Sequence, residues 1–175
     1  SSLTYSDFNS DGNMDLAIGY SDSSSADRIS IHLGNGDGTF AAGMSMVAGD
    51  DIEKVYARDI DGDNNLDLIA ASSGDGTVRV LLGNGNGTFK ASKSFAADGT
   101  PLDVAIGYMN EDEGLDLVST DARDAEVRVY LANEVVTTTD YLHVLSGNGD
   151  GSFSAGVSFS TLPGIGEVVL SDFDG

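Results

Sequence analysis

The chain has 175 residues, of which 40% are hydrophobic and 7% aromatic, as in a soluble globular protein. Its formal net charge of -21 argues against nucleic-acid binding, because the sequence has no cluster of Lys and Arg to contact phosphates, and it disfavours anionic membrane surfaces. The absence of Cys excludes a disulfide framework and thiol catalysis. No apolar run approaches the roughly 20 residues of a membrane helix, so we expect no membrane insertion.

Two stretches of the chain, 7–15 and 59–67, place oxygen-bearing side chains at loop positions one, three, five and nine. Ca2+ takes roughly six to eight oxygen ligands in flexible geometry, so such a tight acidic loop suits it. We expect the main-chain carbonyl of position seven to be a further ligand. The predicted calcium ligands are Asp7, Asn9, Asp11, Asn13 and Asp15 in the first loop, and Asp59, Asp61, Asp63, Asn65 and Asp67 in the second.

Position six of these loops must turn the chain back toward the ion. Gly12 permits a left-handed conformation there, and Asn64 is expected to adopt the same conformation in the second loop. The alternative interpretation is that the carboxylates are only solvated turn residues. Charge density argues against it, because several carboxylates held together repel each other unless a cation offsets their charge.

Two further copies of the loop are weaker. In the third copy Tyr108 replaces the first Asp and Glu113 replaces the Gly. The fourth copy stops at Gly175. The weaker candidate ligands are Asn110, Asp112 and Asp116 in the third copy and Asp172 and Asp174 in the fourth.

A second motif keeps the same phase as the loops. It is a Gly-Asn-Gly hairpin that ends in Phe, and it occurs at 34–40, 83–89 and 147–153. The Asn-Gly pairs suit turns with positive φ, so turn chemistry explains this motif without a metal. Together the two motifs define a unit of roughly 50 residues, near the length of a propeller blade. The predicted repeats are 1–48, 49–98, 99–162 and an incomplete 163–175.

Between the motifs, apolar and polar residues alternate as in half-buried strands. Each unit is predicted to hold four antiparallel strands, the last beginning near Phe40, Phe89 or Phe153. The fold expected is therefore all-β, with about three propeller blades plus the first strand of a fourth. An insertion at 132–146 lengthens the third unit, and 141–145 within it is predicted to add a strand.

The chain resembles the FG-GAP, or VCBS-type, repeat of integrin alpha-subunit propellers. The acidic loop Asp-x-Asp/Asn-x-Asp-Gly-x-x-Asp-Leu and the hairpin Leu-Gly-Asn-Gly-Asp-Gly-Thr-Phe carry the resemblance. It implies a seven-bladed propeller, with calcium in the loop between the first two strands of a blade and ligand recognition usually on the opposite face. Three units are too few to close a ring, so further blades or copies are expected to complete the propeller.

Other functions are less well supported. An EF-hand requires a Glu at position twelve, where Ile18 and Ala70 stand. His32 and His143 lie at non-equivalent places, and no catalytic sequence motif is present, so an enzyme is not expected.

The sequence therefore predicts a non-catalytic, calcium-stabilised repeat module outside the cell or at its surface. Its expected partners are calcium ions and a protein or glycan ligand, as in adhesion. Two alternatives stay open. In the first alternative, the chain is the accessory propeller of a secreted multidomain enzyme. In the second, it is a structural building block of a surface filament or adhesin.

Overall fold

The computed structural model describes residues 1–21, 26–97, 99–108 and 114–121, together with the backbone of 127–130, 144–147 and 153–157. All regular secondary structure in this described part is β-strand. No helix there is long and apolar enough to cross a bilayer.

Two four-stranded antiparallel sheets form the first two blades, in the strand order of the chain. Blade 1 contains β1 (Ser2–Ser6), β2 (Asp15–Tyr20), β3 (Asp27–His32) and β4 (Met44–Gly49). Blade 2 contains β5 (Ile52–Arg58), β6 (Asp67–Ser72), β7 (Thr77–Leu81) and β8 (Lys93–Ala96). The predicted all-β architecture of four-stranded antiparallel propeller blades is thereby confirmed.

A third antiparallel sheet follows, and its strand order is less regular. It contains β9 (Pro101–Gly107), β10 (Asp116–Asp121), β11 (Val127–Tyr130), β12 (Val144–Gly147) and β13 (Phe153–Val157). Strand β10 pairs with β9 on one side, and on the other it pairs with β11 at one end and β12 at the other. Two segments on either side of residues 131–143 in the sequence, β11 and β12, therefore share one edge of β10. The predicted strand at 141–145 overlaps β12, although 141–143 lie outside the described residues.

The predicted start of the fourth strand is wrong in blades 1 and 2. Phe40 and Phe89 instead form isolated bridges with Gly34 and Gly83, and these bridges close the two hairpins. The pairing then slips by one residue before the ladder resumes, so β4 and β8 begin four residues after the phenylalanines. In the third sheet β13 begins at Phe153, as predicted.

Apolar side chains fill the spaces between successive sheets. In β2, buried and half-buried residues alternate, because one face packs on blade 2. Every residue of β6 is buried, since blade 2 has a neighbour on both faces. Leu68 belongs to the core shared with blade 1, and Ile69 belongs to the core shared with the third sheet.

The antiparallel order places the acidic β1–β2 and β5–β6 loops at the same end of the blades as the β3–β4 and β7–β8 hairpins. The β6–β7 turn and the link from blade 1 to blade 2 lie at the opposite end. The described residues form no closed ring. The incomplete fourth repeat, 163–175, lies outside them, and the predicted repeat boundaries stay predictions.

Candidate metal centres

The two acidic loops have left-handed residues at the same two positions. Position six is left-handed in both, with φ of 86° at Gly12 and 67° at Asn64. The conformation expected for Asn64 is thus confirmed. Position four is left-handed as well, at Ser10 and Gly62, which the sequence pattern did not indicate. Two left-handed residues in one short loop make the tight turn that alternating ligands require.

The carboxylate at position one accepts hydrogen bonds from the turn. Asp59 accepts at Oδ1 from the amide of Gly62, 2.8 Å away, and at Oδ2 from the amide of Asn64, 2.9 Å away. In the first loop, Asp7 accepts from the amides of Asp11 and Gly12 at 3.1 and 2.8 Å. These bonds hold the first carboxylate over the turn.

The carboxylate at position nine is fully buried and joins the loop to the hairpin. Asp67 accepts from the amide of Ile60 at 2.8 Å and from that of Gly83 at 2.7 Å. In blade 1, the buried Asp15 makes the equivalent bonds to Phe8 and Gly34, both at 2.8 Å. The sequence pattern predicted these carboxylates as ligands but missed their second role as a structural tie.

Three carboxylates converge in the second loop. One oxygen from each of Asp59, Asp61 and Asp67 lies within 4.8 Å of the other two. In the first loop, Asn9 occupies the place of Asp61, and the carboxylates of that loop form no such triplet. The acidic loop of blade 2 therefore has a more concentrated negative charge than the acidic loop of blade 1.

The electrostatics of the second loop reflect this crowding. Burial raises the pKa of Asp67 to about 6, and the charges of Asp61 and Asp63 raise it further. The two amide hydrogen bonds lower this pKa but do not outweigh burial. Burial, followed by the charge of Asp63, also raises the pKa of Asp61. A bound cation would offset this repulsion, since it favours the ionised form of each carboxylate.

The carboxylate at position five has the opposite shift. Hydrogen bonds from the backbone and side chain of Asn65 lower the pKa of Asp63. In the first loop, the Asn13 backbone, followed by the Asn9 side chain, lowers the pKa of Asp11. Position five is therefore ionised across the physiological range in both loops.

Position seven contacts the hairpin through its side chain. A Cβ built on Gly36 would lie 2.5 Å from Oδ1 of Asn13, and one built on Gly85 would lie 2.1 Å from Oδ1 of Asn65. Those amide side chains therefore lie against the hairpin backbone. This arrangement is compatible with the expectation that position seven contributes its main-chain carbonyl to an ion.

The hairpin residue Asp37 makes turn contacts. Its Oδ1 accepts from the amide and the hydroxyl of Thr39, at 2.9 and 2.6 Å. Asn86 makes the same two contacts with Thr88 in blade 2. An uncharged amide thus replaces the carboxylate at this position without a change in the turn.

The weaker loop candidates are only partly described. Asp116 is fully buried at the start of β10, and Tyr108 is 65% exposed. Asn110 and Asp112 lie outside the described residues, as do Asp172 and Asp174. Metal binding by the third and fourth loops stays a prediction.

The histidine at 32 has protein partners for both ring nitrogens. Its Nε2 lies 3.1 Å from Oγ of Ser30, and its Nδ1 lies 3.3 Å from the carbonyl oxygen of Ala41. The ring also packs against Gly43, where a Cβ would lie 2.5 Å from two ring atoms. These contacts fit a packing residue. His143 lies outside the described residues.

The donors of the second loop fit a hard cation. All are oxygens, three carboxylates converge, and the buried one has a raised pKa. Asp59, Asp61 and Asp67 would hold such an ion.

The model of the FG-GAP-like repeat matches residues 7–70 and again residues 59–119, and each match begins on the first carboxylate of an acidic loop. The chain belongs to the FG-GAP-like repeat family. The FG-GAP match covers 7–119, more than half of the chain, and includes both complete loops and both described hairpins. A search of curated proteins found none that matches.

Proposed function

We propose that this FG-GAP chain is a calcium-stabilised, non-catalytic propeller module that acts outside the cell or at its surface and binds a protein or carbohydrate ligand. The observation that carries the calcium assignment is the convergence of Asp59, Asp61 and Asp67. Family membership supports it, because the matched segments begin on these loops.

The role of the ion is structural in this proposal. The loops join the first and second strands of each blade, and the position-nine carboxylates tie them to the hairpins. An ion held by loop oxygens stabilises the whole end of a blade, since it binds the folded loop and not the unfolded chain. Calcium surrounded by protein oxygens offers no open position for a substrate, so no catalytic role is assigned to it.

The ligand surface is proposed at the end of the blades away from the acidic loops. There the amides of Ser73 and Gly74 donate to the carbonyls of Asp51 and Asp50, each at 3.0 Å. Ser73 also donates to Glu53 through its hydroxyl. These bonds hold the β6–β7 turn against the interblade link, so the two segments present one ordered surface. Ordered loops on a rigid scaffold are the usual site of recognition.

The calcium assignment is tested by thermal unfolding after exhaustive chelation, followed by calcium addition to protein verified as metal-free. Each occupied site adds about 2.7 kcal/mol when free calcium is a hundredfold above Kd. We expect Tm to fall on chelation and to recover with calcium. Calorimetry is expected to show that Asp11→Ala and Asp63→Ala each remove one bound ion. Asp112→Ala is expected to leave the number of bound ions nearly unchanged.

The matched control is Asp37→Asn, which places in blade 1 the residue found at the same hairpin position of blade 2. We expect this variant to bind the same number of calcium ions as the parent. A Tm that is identical in metal-free and calcium-loaded protein would refute the calcium proposal.

A further inference from the structure

The hairpin of blade 2, residues 83–89, contacts both acidic loops. At its start, the amide of Gly83 donates to Asp67, the last carboxylate of the second loop, at 2.7 Å. Near its end, the amide of Gly87 donates to the carbonyl oxygen of Phe8, in the first loop, at 2.9 Å. This one hairpin therefore bridges the candidate metal centre of its own blade and that of blade 1.

The contact with the first loop falls between two predicted ligands. Phe8 is position two of that loop, between Asp7 and Asn9. Its amide donates to the buried Asp15 at 2.8 Å, so its backbone is bonded both within the loop and to the hairpin. Its side chain is 3% exposed and meets the ring of Phe89 edge to face, with centroids 5.7 Å apart. The hairpin of blade 2 thus fixes the backbone of the first loop beside its first ligand.

The hairpin is braced internally and against the second loop. The amide of Asn84 donates to the carbonyl of Thr88 at 2.9 Å, and their side chains are hydrogen-bonded at the same distance. On the loop side, a Cβ built on Gly85 would lie 2.1 Å from Oδ1 of Asn65. Packed, hydrogen-bonded elements of this kind carry coupling between sites, so a displacement of the second loop reaches the far end of the hairpin.

The hairpin of blade 1 offers a matched comparison. Gly38 stands where Gly87 does and has a similar left-handed conformation, with φ of 86° against 78°. A Cβ built on Gly87 would lie 2.7 Å from Leu33 of blade 1, whereas one built on Gly38 would meet no described atom within 4 Å. The same substitution at the two glycines therefore separates the strain of the turn from the contact between blades.

We infer that the hairpin 83–89 positions the first loop, so that an ion in the second loop tightens calcium binding in the first. This inference rests on the calcium role proposed above. Without an ion, the carboxylates of the second loop repel one another and pull against the bond between Asp67 and Gly83. When that repulsion is offset, the hairpin is held in place and holds Phe8. The ligands on either side of Phe8 are then pre-organised, which lowers the ordering cost of binding.

The sign of the effect distinguishes positioning from charge. An ion in the second loop cancels negative charge, so electrostatics alone would weaken the attraction of the first loop for calcium. Positioning by the hairpin predicts the opposite, namely tighter binding in the first loop when the second is occupied.

The test follows calcium binding to each loop of the intact, metal-free chain by amide NMR. The reporters are the amides of Gly12 and Asn64, which donate to the position-one carboxylates of the two loops. A chelator buffer sets the free calcium concentration. The second loop is expected to fill first, because its carboxylates are more concentrated.

The Kd of the first loop is compared between the parent and Asp63→Ala, which disables the second loop. We expect this Kd to be at least about fivefold higher in Asp63→Ala. If the first loop fills first, the same comparison is made on the second loop with Asp11→Ala, because coupling between two binding sites is reciprocal.

The bridge itself is tested by Gly87→Ala, whose added Cβ pushes the hairpin away from Leu33. In that background, Asp63→Ala should leave the Kd of the first loop unchanged. In the control background, Gly38→Ala, the fivefold difference should persist. Circular dichroism verifies that each variant is folded.

A second pair of variants avoids strain in the turn. Phe89→Leu removes the ring contact with Phe8 but keeps an apolar side chain, and Phe40→Leu makes the same change in blade 1. We expect Phe89→Leu to reduce the coupling and Phe40→Leu to leave it intact.

Four outcomes would overturn the inference. Two bound ions with an equal first-loop Kd in the parent and Asp63→Ala would refute the coupling and leave the calcium proposal standing. Tighter binding in Asp63→Ala would show that charge alone links the loops. Coupling that survives both Gly87→Ala and Phe89→Leu would exclude the hairpin as its path. No calcium binding at either loop would refute the proposed function together with the inference.

Discussion

The amide of Gly83 donates a 2.7 Å hydrogen bond to Oδ1 of Asp67, and this bond brings the hairpin of blade 2 directly onto its acidic loop. The approach is so close that a Cβ on Gly83 would lie 2.2 Å from the carbonyl oxygen of Leu66. The φ of Gly83 is not in the left-handed region, so space alone requires glycine here.

Gly83→Ala is therefore expected to push the hairpin away from the loop and break the bond to Asp67. Overpacking of this kind costs about 1–3 kcal/mol, and we expect the upper part of that range because backbone atoms collide. Urea unfolding in the presence of chelator measures it. Gly62→Ala is the control, since its Cβ meets no atom and only its φ of 75° is unfavourable. A smaller loss for Gly83→Ala than for Gly62→Ala would contradict the close-approach explanation.

The third loop position is expected to set the difference in calcium affinity between the two blades. Asp61→Asn gives the second loop the residue that Asn9 supplies in the first, and Asn9→Asp makes the reverse exchange. Because affinity follows ligand charge, we expect Kd to rise about tenfold in Asp61→Asn and to fall in Asn9→Asp. Isothermal titration calorimetry on metal-free protein measures both. A Kd that is unchanged in both variants, or one that falls in Asp61→Asn and rises in Asn9→Asp, would show that position three does not set affinity.

The left-handed conformation at position six predicts how the second loop tolerates substitution. Asn64→Ala places an ordinary side chain at φ 67° and is expected to cost about 1 kcal/mol. Asn64→Gly reproduces the residue at Gly12 and is expected to be neutral or slightly stabilising in the folded loop. Urea unfolding in chelator compares the two variants with the parent. If both lost the same stability, the side chain of Asn64 rather than its φ would be responsible.

A pH dependence is expected from the turn at the opposite end of blade 2. Partial burial of Asp75 opposes its ionisation, but hydrogen bonds from Thr77, Arg79 and Ser72 outweigh burial and lower its pKa. A lowered folded pKa means that the stabilisation is present above the ordinary Asp value near 4 and is lost as pH falls through the folded pKa.

Asp75→Asn should therefore cost stability at neutral pH, at most about 1 kcal/mol for so exposed an ion pair. The difference between the variant and the parent should shrink at a pH below the folded pKa, where the parent carboxylate is protonated. Urea unfolding at the two pH values measures this. A difference that does not change with pH would attribute the loss to packing.

Strand positions and loop turns were predictable from the sequence because they depend on local patterns. Alternating residues and the last loop carboxylate located the second and third strands, and the Gly or Asn at position six located the turn. The start of β4 was not predictable, since it depends on a one-residue slip after the bridge between Gly34 and Phe40.

The link between loop and hairpin was also missed, because it joins residues far apart in the chain. Asp15 lies 19 residues from Gly34, and Asp67 lies 16 residues from Gly83. The signal was present in the first two copies, where the loop ends in Asp and a glycine follows the third strand. Spacing alone does not state that the two meet. The shared edge of β10 was missed for the same reason, since β11 and β12 are apart in the chain and pair with different residues of β10.

Strand β6 has a consequence for how the molecule unfolds. Its consecutive residues Leu68 and Ile69 point into different cores, and both are fully buried. Melting either flanking sheet away would expose one side of β6 to water, so the middle sheet couples the two boundaries. Amide protons of β6 should exchange only in the globally unfolded state, which makes this strand the natural reporter of the cooperativity of the stack.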